Sequence, residues 1–160
     1  MDNQAQQVPI DILRVYIKDV SFEAPNSPEI FQVEAETRIH IDYKIESQKL
    51  QENDDKDIFE STLTITAHAT QGEKTVYLLE ATQAAIVTLP KLPMHQIDMF
   101  LKGYCPDMLL PYLREFATSM TTRGTMPTLV LKPESFSARV MMEMQKMQQA
   151  AANAEGNSEA

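Results

Sequence analysis

The side chains best suited to covalent or metal chemistry are few in this sequence and lie far apart along it. Cys105 is the single cysteine, and because no histidine is near it in sequence, a buried structural thiol is favoured over a reactive one. His40 and His68 fall on the polar faces of predicted strands, and His95 opens a predicted helix. We therefore expect surface histidines and no metal site.

Catalytic motifs are also missing from the sequence. It contains no glycine loop for phosphate, no nucleophile elbow and no His-Glu-x-x-His helix, which argues against an ATPase and predicts no cofactor. The acidic run from Glu52 to Asp57 lacks the glycine and the spacing of a calcium loop, so we interpret it as part of a solvated loop over Ser47 to Asp57. These absences favour a protein that acts by binding other proteins, not an enzyme.

Charge narrows the class of partner. The 160 residues carry a net charge of −9, and residues 1–60 hold 14 acidic and 6 basic side chains, or −8 of that total. A nucleic-acid-binding protein needs a basic face to neutralise phosphates, so this balance argues against nucleic acid and favours a basic partner.

Composition also indicates the cellular compartment of the protein. A single thiol fits a reducing cytoplasm, and Met1 to Val8 has neither the basic start nor the apolar run of a signal peptide. No apolar run reaches the roughly 18 residues needed to cross a bilayer. We expect one cytoplasmic domain over residues 1–149, followed by a mobile tail over residues 150–160, without insertion into a membrane.

The elements that carry these residues change character along the chain. Polar and apolar side chains alternate over Glu36 to Glu46 and again over Ile58 to Thr70, which predicts two strands. Gln71-Gly72 suits a tight turn, and Lys74 to Thr88 is the expected hairpin partner. Ile10 to Phe22 is a strand with apolar residues on both faces, so we expect an edge strand that associates with another copy.

The second half of the chain is predicted to be helical. Ala24 to Glu34, with its prolines, forms a long extended connection between strands, whereas Met94 to Lys102 and Pro106 to Arg123 have helical spacing. Gly103 to Pro106 should interrupt or bend this helix. A second helix is expected from Glu134 to about Gln149.

Two segments suggest binding surfaces. The second helix contains Met141, Met142 and Met144, and methionines suit both adaptable binding surfaces and gap filling in a core, so both alternatives stay open. The strand end Asp19 to Glu23, with Glu73 beside the Gln71-Gly72 turn, would form an acidic patch if the first and fourth strands were neighbours. Ordinary solvated charge is the alternative.

Three motifs resemble the SecB family of bacterial protein-export chaperones. They are the segment from Ile17 to Asn26, reading IKDVSFEAPN, the Gly-Tyr-Cys-Pro sequence at 103–106, and the Leu-Pro-Tyr-Leu-Arg-Glu sequence at 110–115. Ser119, Arg123 to Pro127, Leu129 and Pro133 add to the match, which runs in order from about Ile10 to Met147.

This resemblance implies an α+β fold: a four-stranded antiparallel Greek-key sheet with two helices on one face, assembled as a dimer of dimers. It also implies binding of unfolded preproteins without ATP and delivery of them to the SecA motor. The SecA-binding carboxylates of the family correspond to Asp19, Glu23 and Glu73. Its client groove corresponds to Phe31, Ile39, Ile41, Tyr43, Phe136, Val140 and Met144. Many members carry Trp where this chain has Ala35.

Two rival functions remain at this stage. One is a SecB-like chaperone dedicated to an antitoxin, and the other is an α+β oligomer whose cavity binds a small molecule. Only a general chaperone should protect several unrelated unfolded proteins from aggregation.

Overall fold

The fold is built on an antiparallel sheet. The computed structural model describes residues 10–156. In that range the strand order of the sheet is β1-β4-β3-β2, with β1 and β2 at the edges. The strands are β1 (Asp11–Glu23), β2 (Arg38–Glu52), β3 (Lys56–Gln71) and β4 (Lys74–Pro90). Hairpins join β2 to β3 and β3 to β4, and β1 reaches β2 by a long connection, which is a Greek-key arrangement. The predicted α+β fold and the edge position of β1 are confirmed.

The predicted hairpin between β3 and β4 is confirmed as well. Gln71 pairs with Lys74, and Gly72 has a φ of +57° in the turn, a conformation that glycine adopts without steric cost. By contrast, the solvated loop expected over Ser47 to Asp57 is confirmed only for residues 53–55. β2 continues to Glu52, and Asp57 is buried in β3 because the ammonium groups of Lys49 and Lys91 lie 3.2 Å and 2.6 Å from its carboxylate.

Strand β1 departs from the strict alternation assumed for it. Leu13 and Lys18 are each an extra residue of β1 without a pairing partner in β4, which forms a β-bulge. After each bulge the alternation of side chains between the two faces of the sheet is shifted by one residue. Ile12, Val15, Ile17, Val20 and Phe22 consequently all pair with residues that face the helices, whereas Tyr16 faces the other way. The predicted division of Ile12, Val15, Ile17, Val20 and Phe22 between two faces is therefore wrong, while Tyr16 lies on the opposite face.

The connection from β1 to β2 contains a short 3₁₀ turn (Glu29–Gln32) and is not extended throughout as expected. After the sheet come helices α1 (Met94–Met99), α2 (Cys105–Arg123) and α3 (Phe136–Gly156). A π-helical turn (Phe100–Tyr104) joins α1 to α2, so the interruption starts before Gly103. No helix within residues 10–156 is long and apolar enough to span a membrane.

Helix α3 differs from its predicted bounds at both ends. It begins at Phe136 and continues to Gly156, so residues 150–156 of the expected tail are helical. The rest of that tail, residues 157–160, and the first nine residues of the predicted domain lie outside the described residues.

The start of α3 is held by α2. The Asp107 carboxylate accepts hydrogen bonds from the backbone N–H of Phe136 at 2.6 Å and of Ser137 at 3.3 Å, and the Ser137 hydroxyl also donates to it. These N–H groups have no partner within α3, so a carboxylate from a neighbouring helix satisfies them and its negative charge suits the helix N-terminus.

The core lies between the sheet and the helices. Leu63, Ile65, Leu79 and Val87 of the central strands pack against the buried side of α2, including Leu109 and Leu113, and all are inaccessible to solvent or nearly so. We call this side of the sheet the helix side and the opposite side the open face.

Gly103 allows the helices to approach each other. A Cβ at this position would lie 2.9 Å from the Cα of Ser137, which is backbone and cannot rotate away. The glycine therefore sets the distance between the π-helical turn and the start of α3.

We predict that Gly103→Ala lowers the free energy of unfolding by about 1–3 kcal/mol, because the added methyl group separates the two helices. Urea denaturation followed by circular dichroism measures the change. Lys102→Ala, at the exposed neighbouring position, is the control and should change stability by less than about 0.5 kcal/mol. Equal effects of the two substitutions would contradict this account of Gly103.

Candidate functional site

The two acidic residues predicted in β1 lie on the open face. Asp19 pairs with Thr82 and Glu23 with Leu78, in β4, and both carboxylates are exposed. β1 and β4 are neighbours, which meets the condition under which these residues can form one acidic patch. Residues four apart on one face of a strand are about 13 Å apart, so a single extended partner segment can reach both.

A further carboxylate lies between them. Glu80 is exposed on β4 directly opposite Ser21, on the same face as Asp19 and Glu23. Sequence reasoning missed Glu80 because only the register of β1 on β4 brings it there. We name Asp19, Glu23 and Glu80 the acidic surface.

Glu73 is separate from the acidic surface. It lies in the β3–β4 turn, five residues before Leu78, so it is about 15 Å beyond the level of Glu23 along the sheet. The turn also borders a pocket of about 670 Å³ that is lined by Ala35 and by Ile30 and Val33 of the connection. The predicted carboxylates thus form a line along the open face and its end, not one compact patch.

The predicted apolar groove residues lie on the helix side. Ile39, Ile41 and Tyr43 are half-buried on the edge strand β2, and the ring of Tyr43 meets that of Phe136 edge to face at 5.5 Å. Phe136 is only 1% exposed, so its ring supports the groove from inside and is not accessible to a client.

Two clefts flank helix α3. One of about 190 Å³ lies between β2 and α3, where Phe136 and Val140 face Ile45. The other, of about 400 Å³, is mostly apolar and brings Met144 together with Phe100 and Tyr104. Phe31 lies apart in the connection with 53% of its surface exposed. Apart from Phe31, the predicted client residues therefore line apolar sites on the helix side of the sheet.

The methionines of α3 divide between the two roles left open by the sequence. Met144 is half-buried in its cleft, whereas Met141, Met142 and Met147 are exposed. Beyond Val140 the described side chains of α3 are exposed apart from Met144. This half of the helix presents flexible apolar groups to solvent, which suits a surface that binds varied segments.

Cys105 is not placed for chemistry. It is 1% exposed, and burial raises the pKa of its thiol to about 12 despite a hydrogen bond with Ser61 that lowers it. The thiol is thus protonated at neutral pH and poorly nucleophilic. Among residues 10–156, no three His, Cys, Asp or Glu side chains are grouped as metal ligands would be.

Known proteins are similar to this chain over nearly its whole length. Residues 3–149 match the family model described as preprotein translocase subunit SecB. The protein-export protein SecB of Legionella pneumophila strain Philadelphia 1 is 37% identical over 149 residues, which cover 93% of this chain and 90% of that protein. Its counterpart from strain Corby is 36% identical with the same coverage.

A solved structure has the same fold. It is a SecB-like chaperone of Mycobacterium tuberculosis in complex with a peptide from an antitoxin, and it aligns with a TM-score of 0.59 over 77% of this chain and 89% of its own. At 15% identity this likeness concerns the fold alone. Since the family match covers nearly the whole chain and full-length relatives exceed 30% identity, the chain belongs to the SecB family of protein-export chaperones.

Proposed function

We propose that this chain holds unfolded preproteins in the cytoplasm in a translocation-competent state and delivers them to the SecA motor, without ATP of its own. One observation carries the proposal: exposed and half-buried apolar residues lie on the helix side of the sheet, and the acidic surface lies on the open face. A client and a basic partner can therefore bind at the same time.

Client binding rests on weak apolar contacts at several sites. Burial of one large apolar side chain contributes about 1.5–3 kcal/mol, too little for stable binding by itself. Phe31, the strip over Ile39, Ile41 and Tyr43, and the clefts beside Val140 and Met144 offer separate contacts for one unfolded chain. Linked contacts raise affinity through effective concentration, and folded proteins are ignored because their apolar segments are already buried.

Assembly as a homotetramer, a dimer of dimers, would extend these sites. Apolar side chains on the helix side of β1, including Ile12, Ile17 and Val20, are exposed in the single chain because β1 is an edge strand. Pairing with β1 of a second copy would cover this edge and also satisfy its free backbone groups.

Delivery depends on charge. The acidic surface and Glu73 form a line of carboxylates that a basic segment of SecA can follow, and complementary charges chiefly raise the association rate and the specificity. Docking on the open face brings the motor to the chaperone while the client stays on the helix side. Release then follows from competition for the client and requires no nucleotide.

We predict that Asp19→Ala with Glu23→Ala weakens SecA binding about tenfold and leaves client holding unchanged, since the loss affects only the open face. Calorimetry at low and high salt measures the affinity, and the difference between the variants should shrink as salt screens the charges. Asp42→Ala with Glu46→Ala is the matched control, since it removes the same charge at the same spacing on the other edge strand. Equal loss in the two double variants would mean that overall charge, not this surface, binds SecA.

We predict that Phe31→Ala with Met144→Ala reduces suppression of aggregation of an unfolded protein by at least half, because two apolar contact sites are lost. Light scattering of a diluted unfolded client measures suppression. Phe136 is left intact, because truncation of so buried a ring costs about 3–5 kcal/mol of stability. Leu50→Ala, an exposed apolar residue at the end of β2, is the control.

The same assay tests the rival functions if several unrelated unfolded clients are compared. A general export chaperone protects most of them. Protection of a single client would favour a dedicated chaperone, and protection of none a small-molecule-binding oligomer. Unchanged suppression by the double variant in an intact assembly would exclude these two positions from the client groove.

We predict a native mass of four times the chain's 18.1 kDa, and a smaller particle for Ile17→Lys, since a buried lysine at a subunit interface loses its hydration without gaining a partner. Size-exclusion chromatography with light scattering measures both. Ile17 and Leu50 are each 47% exposed, so Leu50→Lys is a matched control on the other edge strand. A tetramer that survives Ile17→Lys would show that β1 is not the interface.

A further inference from the structure

A buried carboxylate lies on the open face near the acidic surface. Glu60 of β3 is 5% exposed, and its two oxygens accept hydrogen bonds from the Lys18 ammonium at 2.8 Å and 2.9 Å. The side-chain amide of Gln48 donates to Oε2 at 2.7 Å, and the Tyr16 hydroxyl donates to Oε1. Glu60 thereby links the edge strand β1 to β3 across β4.

The charge states of this cluster are well defined. Burial alone raises the pKa of Glu60, but the hydrogen bonds from Lys18, Tyr16 and Gln48 outweigh it and the pKa is lowered overall. Burial and the bond to Glu60 raise the pKa of Tyr16 to about 12, so its hydroxyl keeps the proton that it donates. An ionised, buried carboxylate that loses its cation is strongly destabilised, which gives Lys18 a fixed place.

Lys18 forms a β-bulge, an extra residue in β1, directly before Asp19 of the acidic surface. Ile17 pairs with Gln83 and Asp19 with Thr82, so Lys18 is the extra residue of β1. The apolar pattern requires one extra residue between Ile17 and Val20, because both must face the helices, but it does not determine which one. With Asp19 as the extra residue, Lys18 would take the place opposite Thr82.

We propose that Glu60 is a positioning residue for the partner-binding surface: by anchoring Lys18 it keeps the bulge at Lys18, so that Asp19 stays in register on the open face. The inference rests on the proposed docking of basic SecA at that surface. The anchor has a second effect, since the Lys18 ammonium is engaged by Glu60 and does not neutralise the adjacent Asp19. Glu23 keeps its partner Leu78 in both arrangements.

The decisive variant is Lys18→Gln, which leaves the apolar core intact because this side chain is 45% exposed, although loss of the ammonium beside buried Glu60 lowers stability. Simple electrostatics predicts that this variant binds SecA more tightly, because the substitution removes a positive charge from a surface that binds a basic partner. A positioning role predicts the opposite sign, and we expect SecA affinity to fall at least threefold in calorimetry with the full-length chain. Glu60→Gln should have the same effect, and Lys74→Gln, an exposed lysine beside Glu73, should leave affinity unchanged or raise it.

Cross-linking measures the register directly. Asp19→Cys with Thr82→Cys places two thiols directly opposite each other, so they should form an intrachain disulfide on oxidation. Lys18→Gln or Glu60→Gln should lower its yield at least threefold. Glu23→Cys with Leu78→Cys is the control pair, because its yield depends on the fold but not on the position of the bulge.

The inference is overturned if Lys18→Gln binds SecA as tightly as the unaltered chain or more tightly, or if cross-linking at Asp19 is undiminished while affinity falls. Diminished cross-linking with unchanged affinity also overturns it, provided that Asp19→Ala with Glu23→Ala weakens binding. If that double variant has no effect, the proposed docking surface is wrong instead, and the cross-linking yields alone decide whether Glu60 positions the bulge. A variant that lowers the yield of the control pair is misfolded. If Lys18→Gln is misfolded, cross-linking at Asp19 in Glu60→Gln decides, because Glu60→Gln also removes a negative charge and so weakens binding of a basic partner for electrostatic reasons alone.

Discussion

The fold depends on the alternation of side chains across its sheet, since one face must be apolar to bind the helices and the other must stay polar in water. The central strands β3 and β4 meet this demand with regular patterns of buried residues. β1 meets it only by inserting Leu13 and Lys18 as extra residues, which turns its apolar side chains toward the helices. The extra residue at the second position is Lys18, and its side chain binds Glu60.

Helix α3 is buried mainly at its start, and beyond Val140 it is half-buried only at Met144. Asp107 binds the first turn of α3, and Gly103 lets that turn come close to the π-helical turn. Beyond Val140 little of α3 is buried, so most of its methionines gain nothing from the core. Helix α3 is held at its start and again at Met144, and the other side chains of its second half are exposed, which suits the proposed binding of clients of different shapes.

Much of this architecture could be predicted from the residues, and the errors have physical causes. The hairpin between β3 and β4 is predicted correctly from the strict alternation in β3 and the glycine in the turn, because both patterns involve residues that are close in sequence. The prediction of a loop is wrong for Asp57 because its partner Lys91 is distant in the chain, and Lys49 meets it only through the pairing of β2 with β3. Glu80 was missed for a similar reason: its place in the acidic surface depends on the register of β1 on β4, and bulges alter that register.

The opposite positions of the two surfaces constrain how a client can be handed on. A partner bound at Asp19 and Glu23 touches the open face, and the sheet separates it from the clefts beside Val140 and Met144. Docking there cannot displace a client by occupying its contacts. If the proposed apolar contacts are each weak, segments of a client would dissociate and rebind continually, and a partner held nearby by charge could capture a segment during one of these dissociations. Under the proposed function, the acidic surface would serve delivery by raising the local concentration of the partner, and the number of apolar sites would set how long a client is retained.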